Sequence, residues 1–158
     1  MNKKGFTLVE ILAVLALLSV ILIIGTVSIN GIHNKIDKNL FESKLEYIIN
    51  GAETWGQDNK TSLMDGELTT TVGSLIASKD IETDELRNYA SCEAGNSKDG
   101  KCMVITNNVT GNVINALELR VYLENNRVYS CIIKNSSNMN LLDEDASYSK
   151  YSSLNYYC

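Results

Sequence analysis

Proline is absent from this chain of 158 residues, and histidine and tryptophan occur once each. A single histidine, His33, leaves any histidine-centred triad dependent on a nucleophile brought to it from far along the chain. Cys92, Cys102, Cys131 and Cys158 contain no C-x-x-C pair, which argues against a zinc ribbon or a redox dithiol. Basic residues are also scarce, 14 against 19 acidic ones for a net charge of −5. Without a basic stripe there is no counterion release to drive binding to a phosphate backbone, so generic nucleic-acid binding is not expected. The acidic run Asp143-Glu144-Asp145 lacks the spaced ligands and the glycine of an EF-hand loop and reads as a solvated loop. There is no internal repeat and no low-complexity linker. Nothing assembles into a catalytic set, and no cofactor or metal is implied.

Charge is missing most conspicuously between Glu10 and His33, where no Asp, Glu, Lys or Arg occurs. Phe6 to Ile32 is therefore an apolar run with Glu10 as its one charge, and it is long enough to cross a bilayer, which takes about 20 residues. Lys3 and Lys4 precede it, and flanking lysines stay on the cytoplasmic side, so the chain is expected to sit in the cytoplasmic membrane as a single pass, N-in and C-out. All four cysteines then lie outside, where an even number suits an oxidising compartment. An ordinary secretory signal shares the lysine-then-apolar order but ends in a small-residue cleavage site, for which Gly25-Thr26-Val27-Ser28 is a poor candidate.

The junction Lys3-Lys4-Gly5-Phe6-Thr7-Leu8-Val9-Glu10 resembles the prepilin cleavage and methylation motif of type IV pilins and pseudopilins. It joins a cleavage glycine, an aromatic first residue and a glutamate at the fifth mature position to a span-length helix. The resemblance implies that a membrane prepilin peptidase cuts between Gly5 and Phe6 and methylates the Phe6 amine, so the anchor is retained. Loss of Lys3 and Lys4 with the leader takes the side-chain charge from −5 to −7. A carboxylate in a bilayer is costly and usually has a partner. In the resembled family that partner is the N-terminus of an adjacent subunit, and Glu10 takes that role here.

The family also implies partners: further copies of the chain in a helical filament, a pilus assembly ATPase and membrane platform protein, and minor pilins. The expected function is a structural subunit of an extracellular surface filament of the kind used in motility and adhesion. A minor pilin or pseudopilin of a secretion or DNA-uptake machine is the nearest alternative, and a monomeric signal-anchored binding protein is the alternative of another class. Many family members carry a proline in the first helix, whereas this chain has Gly25 and Gly31 there.

Past the span, Ile36, Leu40, Phe41, Leu45, Ile48, Ala52 and Trp55 continue the apolar spacing of an amphipathic helix, with Lys38 and Glu42 paired at i and i+4 on the wet side. A helix from Phe6 to Gln57 would be about 80 Å long against about 30 Å of hydrocarbon. Its projecting half needs a cover. Asn115 to Leu123 alternates Leu117, Leu119, Val121 and Leu123 with Glu118, Arg120 and Tyr122, as a half-buried strand does. Glu124-Asn125-Asn126 turns the chain and Arg127 to Ile133 returns, with Cys102 to Thr106 as a third strand.

The fold class expected is thus α+β and pilin-like, one long N-terminal helix packed on a small antiparallel sheet. Its divisions are a leader over residues 1–5, a transmembrane and assembly helix over 6–32, and the amphipathic half-helix with its head over 33–158. Thr71 to Ala77 reads as a short helix capped by Thr71, and Thr83 to Leu86 as the start of another turn. Asn59 to Glu67 and Glu93 to Gly100 read as loops. Asn135 to Cys158, with Tyr148, Tyr151, Tyr156 and Tyr157, lacks a period and is expected to wrap the sheet.

Four cysteines allow three pairings. Joining Cys92 to Cys102 and Cys131 to Cys158 needs the least rearrangement, and the second bridge resembles the C-terminal disulfide-bounded region of many pilins. Cross-strand proximity of Cys102 and Cys131 would instead leave Cys92 for Cys158. Three Asn-x-Ser/Thr triplets, at Asn59, Asn108 and Asn135, mark surface loops.

Overall fold

The computed structural model describes residues 7–88, 92, 95–142 and 156–158, with the side chains at 24–31, 33, 34 and 136 outside the description. The chain is α+β and divides into two compact units, Met1–Lys38 and Asn39–Cys158. Helix α1, Leu8–Asp58, contributes to both.

In the first unit, α1 carries apolar side chains all the way round. From Leu8 to Ile23 the large hydrophobic residues are between 49% and 77% exposed. Single exposed leucines are ordinary, but a contiguous apolar surface of this extent marks a membrane or partner contact. Among the described residues no helix is long and apolar enough to cross a membrane. The run whose side chains are described ends at Ile23, so the span expected over residues 6–32 extends beyond it.

The second unit is the head. Between Asn39 and Asp58, α1 turns Phe41, Leu45, Ile48, Ile49 and Ala52 inward. Burying each large aliphatic or aromatic side chain of this face contributes about 1.5–3 kcal/mol. Two glycines on the helix allow close approach. A Cβ at Gly56 would stand 2.6 Å from both Val121 and Val128, and one at Gly51 would stand 2.1 Å from Ile81. Ser130 Oγ donates to the Ile49 carbonyl at 2.9 Å, joining sheet to helix.

Two three-stranded antiparallel sheets cover the core where one was expected. The first has the order β1 (Leu68–Thr71), β5 (Glu118–Glu124), β6 (Arg127–Ile132). Leu119 and Val121 are fully buried on its inner face, while Tyr122 and Tyr129 pair across the outer face with ring centroids 5.8 Å apart. Asn125 and Asn126, at φ 49° and 65°, make the tight turn between β5 and β6. The second sheet has the order β2 (Glu85–Arg87), β4 (Lys101–Val104), β3 (Ser97–Lys98). The strand expected at Cys102 to Thr106 is β4, and it belongs to this second sheet.

Several local expectations need correction. Thr83 to Leu86 does not start a helical turn: the chain bends at Asp84, Thr83 Oγ1 donates to the carbonyls of Glu85 and Val104, and from Glu85 β2 pairs along β4. Within the loop expected at Asn59 to Glu67 lies a single helical turn, α2 (Lys60–Leu63), whose Leu63 is buried in the core. The loop expected at Glu93 to Gly100 contains β3, and Asp99-Gly100, both at positive φ, turns the chain into β4. Helix α3 (Val72–Ser78) does start at Thr71, whose Oγ1 accepts the Ser74 N–H at 3.1 Å. Part of the irregular C-terminal stretch is helix α4 (Ser136–Leu142), which buries Met139 and Leu142.

Buried asparagines join these pieces. Asn115 accepts from Ile105 N–H and donates to the Met103 carbonyl, each at 3.0 Å, so that its side chain, with the Ile114 N–H bond to the Ile105 carbonyl, continues the pairing beyond β4. Asn138, fully buried, accepts from Glu118 N–H and donates to the carbonyls of Glu118 and Ile133, tying α4 to the start of β5. Asn107, also fully buried, donates to the Leu142 carbonyl. An amide carries both donor and acceptor, so it can satisfy irregular backbone that no strand partner reaches.

Candidate functional site

The residues expected to serve processing and assembly lie at and just before the first turn of α1. Gly5 and Phe6, the expected cleavage pair, lie outside the described residues. Thr7 and Glu10 are described, and they form a reciprocal cap. Glu10 Oε2 accepts the Thr7 N–H at 2.8 Å and the Thr7 hydroxyl at 2.9 Å, while Glu10 N–H reaches back to Thr7 Oγ1 at 3.4 Å and to the Thr7 carbonyl at 3.1 Å. This is a capping box, Thr-x-x-Glu, in which two groups left open at a helix start satisfy each other. The carboxylate is thereby pinned toward the N-terminus of the chain, where the helix dipole also favours negative charge. Both bonds to the carboxylate are to Oε2, and among the described residues Oε1 accepts no hydrogen bond. The signal for this geometry, a threonine three residues before the glutamate at the head of an apolar run, stands in the sequence; reading Glu10 only as a charge seeking a cation passes over it.

Within the second unit, two disulfides secure the head. Cys92 is bonded to Cys102, with Cα atoms 5.3 Å apart, and Cys131 to Cys158, 5.7 Å apart. The alternative that joins Cys102 to Cys131 is not the one present, because these cysteines stand on strands of different sheets. The bridge to Cys158 brings the last residues alongside β6 in parallel. Ile132 N–H donates to the Tyr156 carbonyl at 2.6 Å, Cys158 N–H to the Ile132 carbonyl at 3.1 Å, and Lys134 N–H to the Cys158 carbonyl at 3.1 Å. The tail thus pairs with the C-terminal end of β6 at Ile132 and with Lys134 just beyond it. Tyr156 packs against the core, and its hydroxyl is pushed above the usual tyrosine range by burial first and by the charges of Glu46 and Glu42 second.

An ion pair missed from sequence ties the head's helix to the second sheet. Lys44 Nζ lies 2.5 Å from Asp84 Oδ2 and 2.7 Å from the Thr106 carbonyl, and Asp84 Oδ2 also accepts the Thr106 N–H. Forty residues separate the two charges, so no local spacing announces the contact. The side chain of His33, the acidic run Asp143 to Asp145, and Tyr148 and Tyr151 lie outside the description. Among the described residues no group of His, Cys, Asp and Glu side chains could hold a metal ion.

Comparison with curated proteins and with solved structures gives no match. Residues 1–26 match the family model described as the prokaryotic N-terminal methylation motif. That stretch contains Gly5, Phe6 and the Thr7–Glu10 cap together with most of the exposed apolar face of the first unit. The chain carries, at its N-terminus, the prepilin signature of type IV pilins.

Proposed function

We propose that the protein is a structural subunit of a type IV pilus-like extracellular filament, with no enzymatic role of its own. It is cut between Gly5 and Phe6 by a prepilin peptidase, N-methylated at Phe6, and held before assembly as a single-pass cytoplasmic membrane protein with the head outside. The observation that carries this reading is the methylation motif joined directly to a helix whose apolar side chains are exposed all round from Leu8 to Ile23 and whose one carboxylate in that stretch, Glu10, is pinned at its start. An apolar cylinder needs lipid or other apolar helices around it. Cleavage ahead of that cylinder leaves it on the mature chain.

Assembly then exchanges lipid for the helices of neighbouring copies, with the assembly ATPase and membrane platform protein driving the transfer and minor pilins as further partners. Glu10 supplies register. With Oε2 kept by Thr7, Oε1 is placed to receive the Phe6 ammonium of an adjacent subunit, a charge-assisted contact that gains strength away from water. The head's disulfides form after it has crossed into an oxidising compartment.

Mass analysis of the N-terminus of the membrane-extracted and of the sheared, fibre-associated protein tests the proposal. A methylated Phe6 start in both fractions is expected. An intact Met1, or a start beyond Ser28, would overturn it.

A further inference from the structure

We propose that Asn108 is a glycosylation site of the assembled head, modified on its side-chain amide nitrogen after the head reaches the outer face of the membrane. The inference rests on the outward topology given above. Three triplets have the Asn-x-Ser/Thr pattern, and the structure separates them. Asn59 Nδ2 donates to the Trp55 carbonyl at 2.8 Å at the end of α1, and the residue is half-buried. Asn135 Nδ2 donates to Glu118 Oε2 at 2.8 Å, its Oδ1 accepts the Asn138 N–H at the start of α4, and it too is half-buried. Both amides are held by the fold.

Asn108 differs in each respect. It is exposed at the tip of a loop closed by the Thr106–Val113 bridge, and among the described residues its amide makes no hydrogen bond. The loop is built from beneath by Asn107, whose Oδ1 accepts the Val109 N–H at 2.9 Å while its Nδ2 anchors to the Leu142 carbonyl. Gly111 N–H donates to the Asn107 carbonyl at 2.7 Å, and Thr110 Oγ1 accepts the Asn112 N–H at 3.2 Å, leaving the Thr110 hydroxyl proton free to donate. Val109, the middle residue of the triplet, is 47% exposed. A rigid base thus presents the whole triplet on a protruding turn, the geometry a transferase acting on a folded protein requires.

The donor class is a polyprenyl-phosphate-linked glycan, delivered by a membrane transferase at the same face. The Asn108 amide nitrogen forms a bond to the anomeric carbon and loses one proton to a base of the transferase. The bond from that carbon to the phosphate oxygen breaks, and the lipid phosphate leaves with its electron pair. No oxidant or reductant is needed.

The test is peptide mapping of protein sheared from its native cells. After reduction of the Cys92–Cys102 bridge, trypsin releases Cys102 to Arg120 as one peptide, because no lysine or arginine lies between them. A glycan mass on this peptide, placed on Asn108 by fragmentation, is expected, with the peptides of Asn59 and Asn135 unmodified. Thr110→Ser should retain the mass, and both Thr110→Val and Asn108→Gln should lose it. Protein that begins at a methylated Phe6 but yields only bare Cys102–Arg120 peptide would overturn this proposal and leave the filament reading intact. A mass that survives Asn108→Gln would overturn it as well.

Discussion

Gly51→Ala is a sharp test of how the head is packed, because two opposing effects of known size meet at one atom. In an unobstructed helix interior the change gains about 1 kcal/mol from reduced backbone entropy. Here the new Cβ would stand 2.1 Å from Ile81 Cγ2 and 3.3 Å from the Asp80 carbonyl oxygen. That methyl is attached at the branch of a buried side chain, 3% exposed, and cannot swing aside as a chain end would. The backbone beneath it is also fixed. Lys79 ends α3 in the left-handed region at φ 69°, Asp80 N–H donates to the Leu75 carbonyl at 3.0 Å, and Ile81 N–H reaches the same oxygen.

Overpacking of this kind costs about 1–3 kcal/mol, and the severity of the contact places it in the upper part of the range. The net expectation is a loss of about 1–2 kcal/mol, or a fall of roughly 3–8 °C in melting temperature for a head of this size. Full-length protein in detergent, melted while the fluorescence of Trp55 is followed, gives the measurement. Ile81→Leu removes the β-branch at a cost under about 1.5 kcal/mol, so the Gly51→Ala/Ile81→Leu protein should be more stable than the sum of its parts by about 1–2 kcal/mol. A Gly51→Ala protein that melts at or above the wild type would refute the reasoning, since the 80–81 segment would then retreat at no cost.

Glu10→Ala should leave an inserted, processed monomer with a normal head melting temperature while fibre yield in the sheared fraction falls at least tenfold; unchanged yield would show that the carboxylate serves only the Thr7 cap. Asn138→Ala should destabilise the head by about 2–4 kcal/mol in denaturant titration, because it strands the Glu118 N–H and two carbonyls in the interior, whereas an effect under 0.5 kcal/mol would mean that water replaces the amide. For Tyr156 the folded pKa lies above the ordinary value of 10.0, so its contribution to stability is complete below about pH 10 and is lost as pH rises through the folded value. Tyr156→Phe should flatten that alkaline part of the stability profile; an unchanged slope between the variants would remove Tyr156 as its source.

Features carried by neighbours in the chain were legible before the fold was known. The apolar run, the processing junction, the 3.6-residue spacing from Phe41 to Trp55, the alternation from Leu117 to Leu123 and the Thr71 cap each depend on groups within a few residues, and local sterics and solvation decide them. Even the Thr7–Glu10 box and the Asp99-Gly100 turn are of this class, available in the residues though passed over. The expected disulfide pairs follow a similar logic of short loops, but the choice among three pairings rests on which sheet each strand joins, and that is a long-range matter. Tertiary structure alone decided that Glu85 to Arg87 is strand, since β4 offers it partners that outweigh its weak local preference. The same holds for Lys44 with Asp84 and for the buried amides of Asn115 and Asn138, polar residues that local pattern assigns to the surface. Each is stabilised by a backbone group many residues away, and a hydrogen bond in a low-dielectric interior rewards that meeting only after the chain has brought the two together.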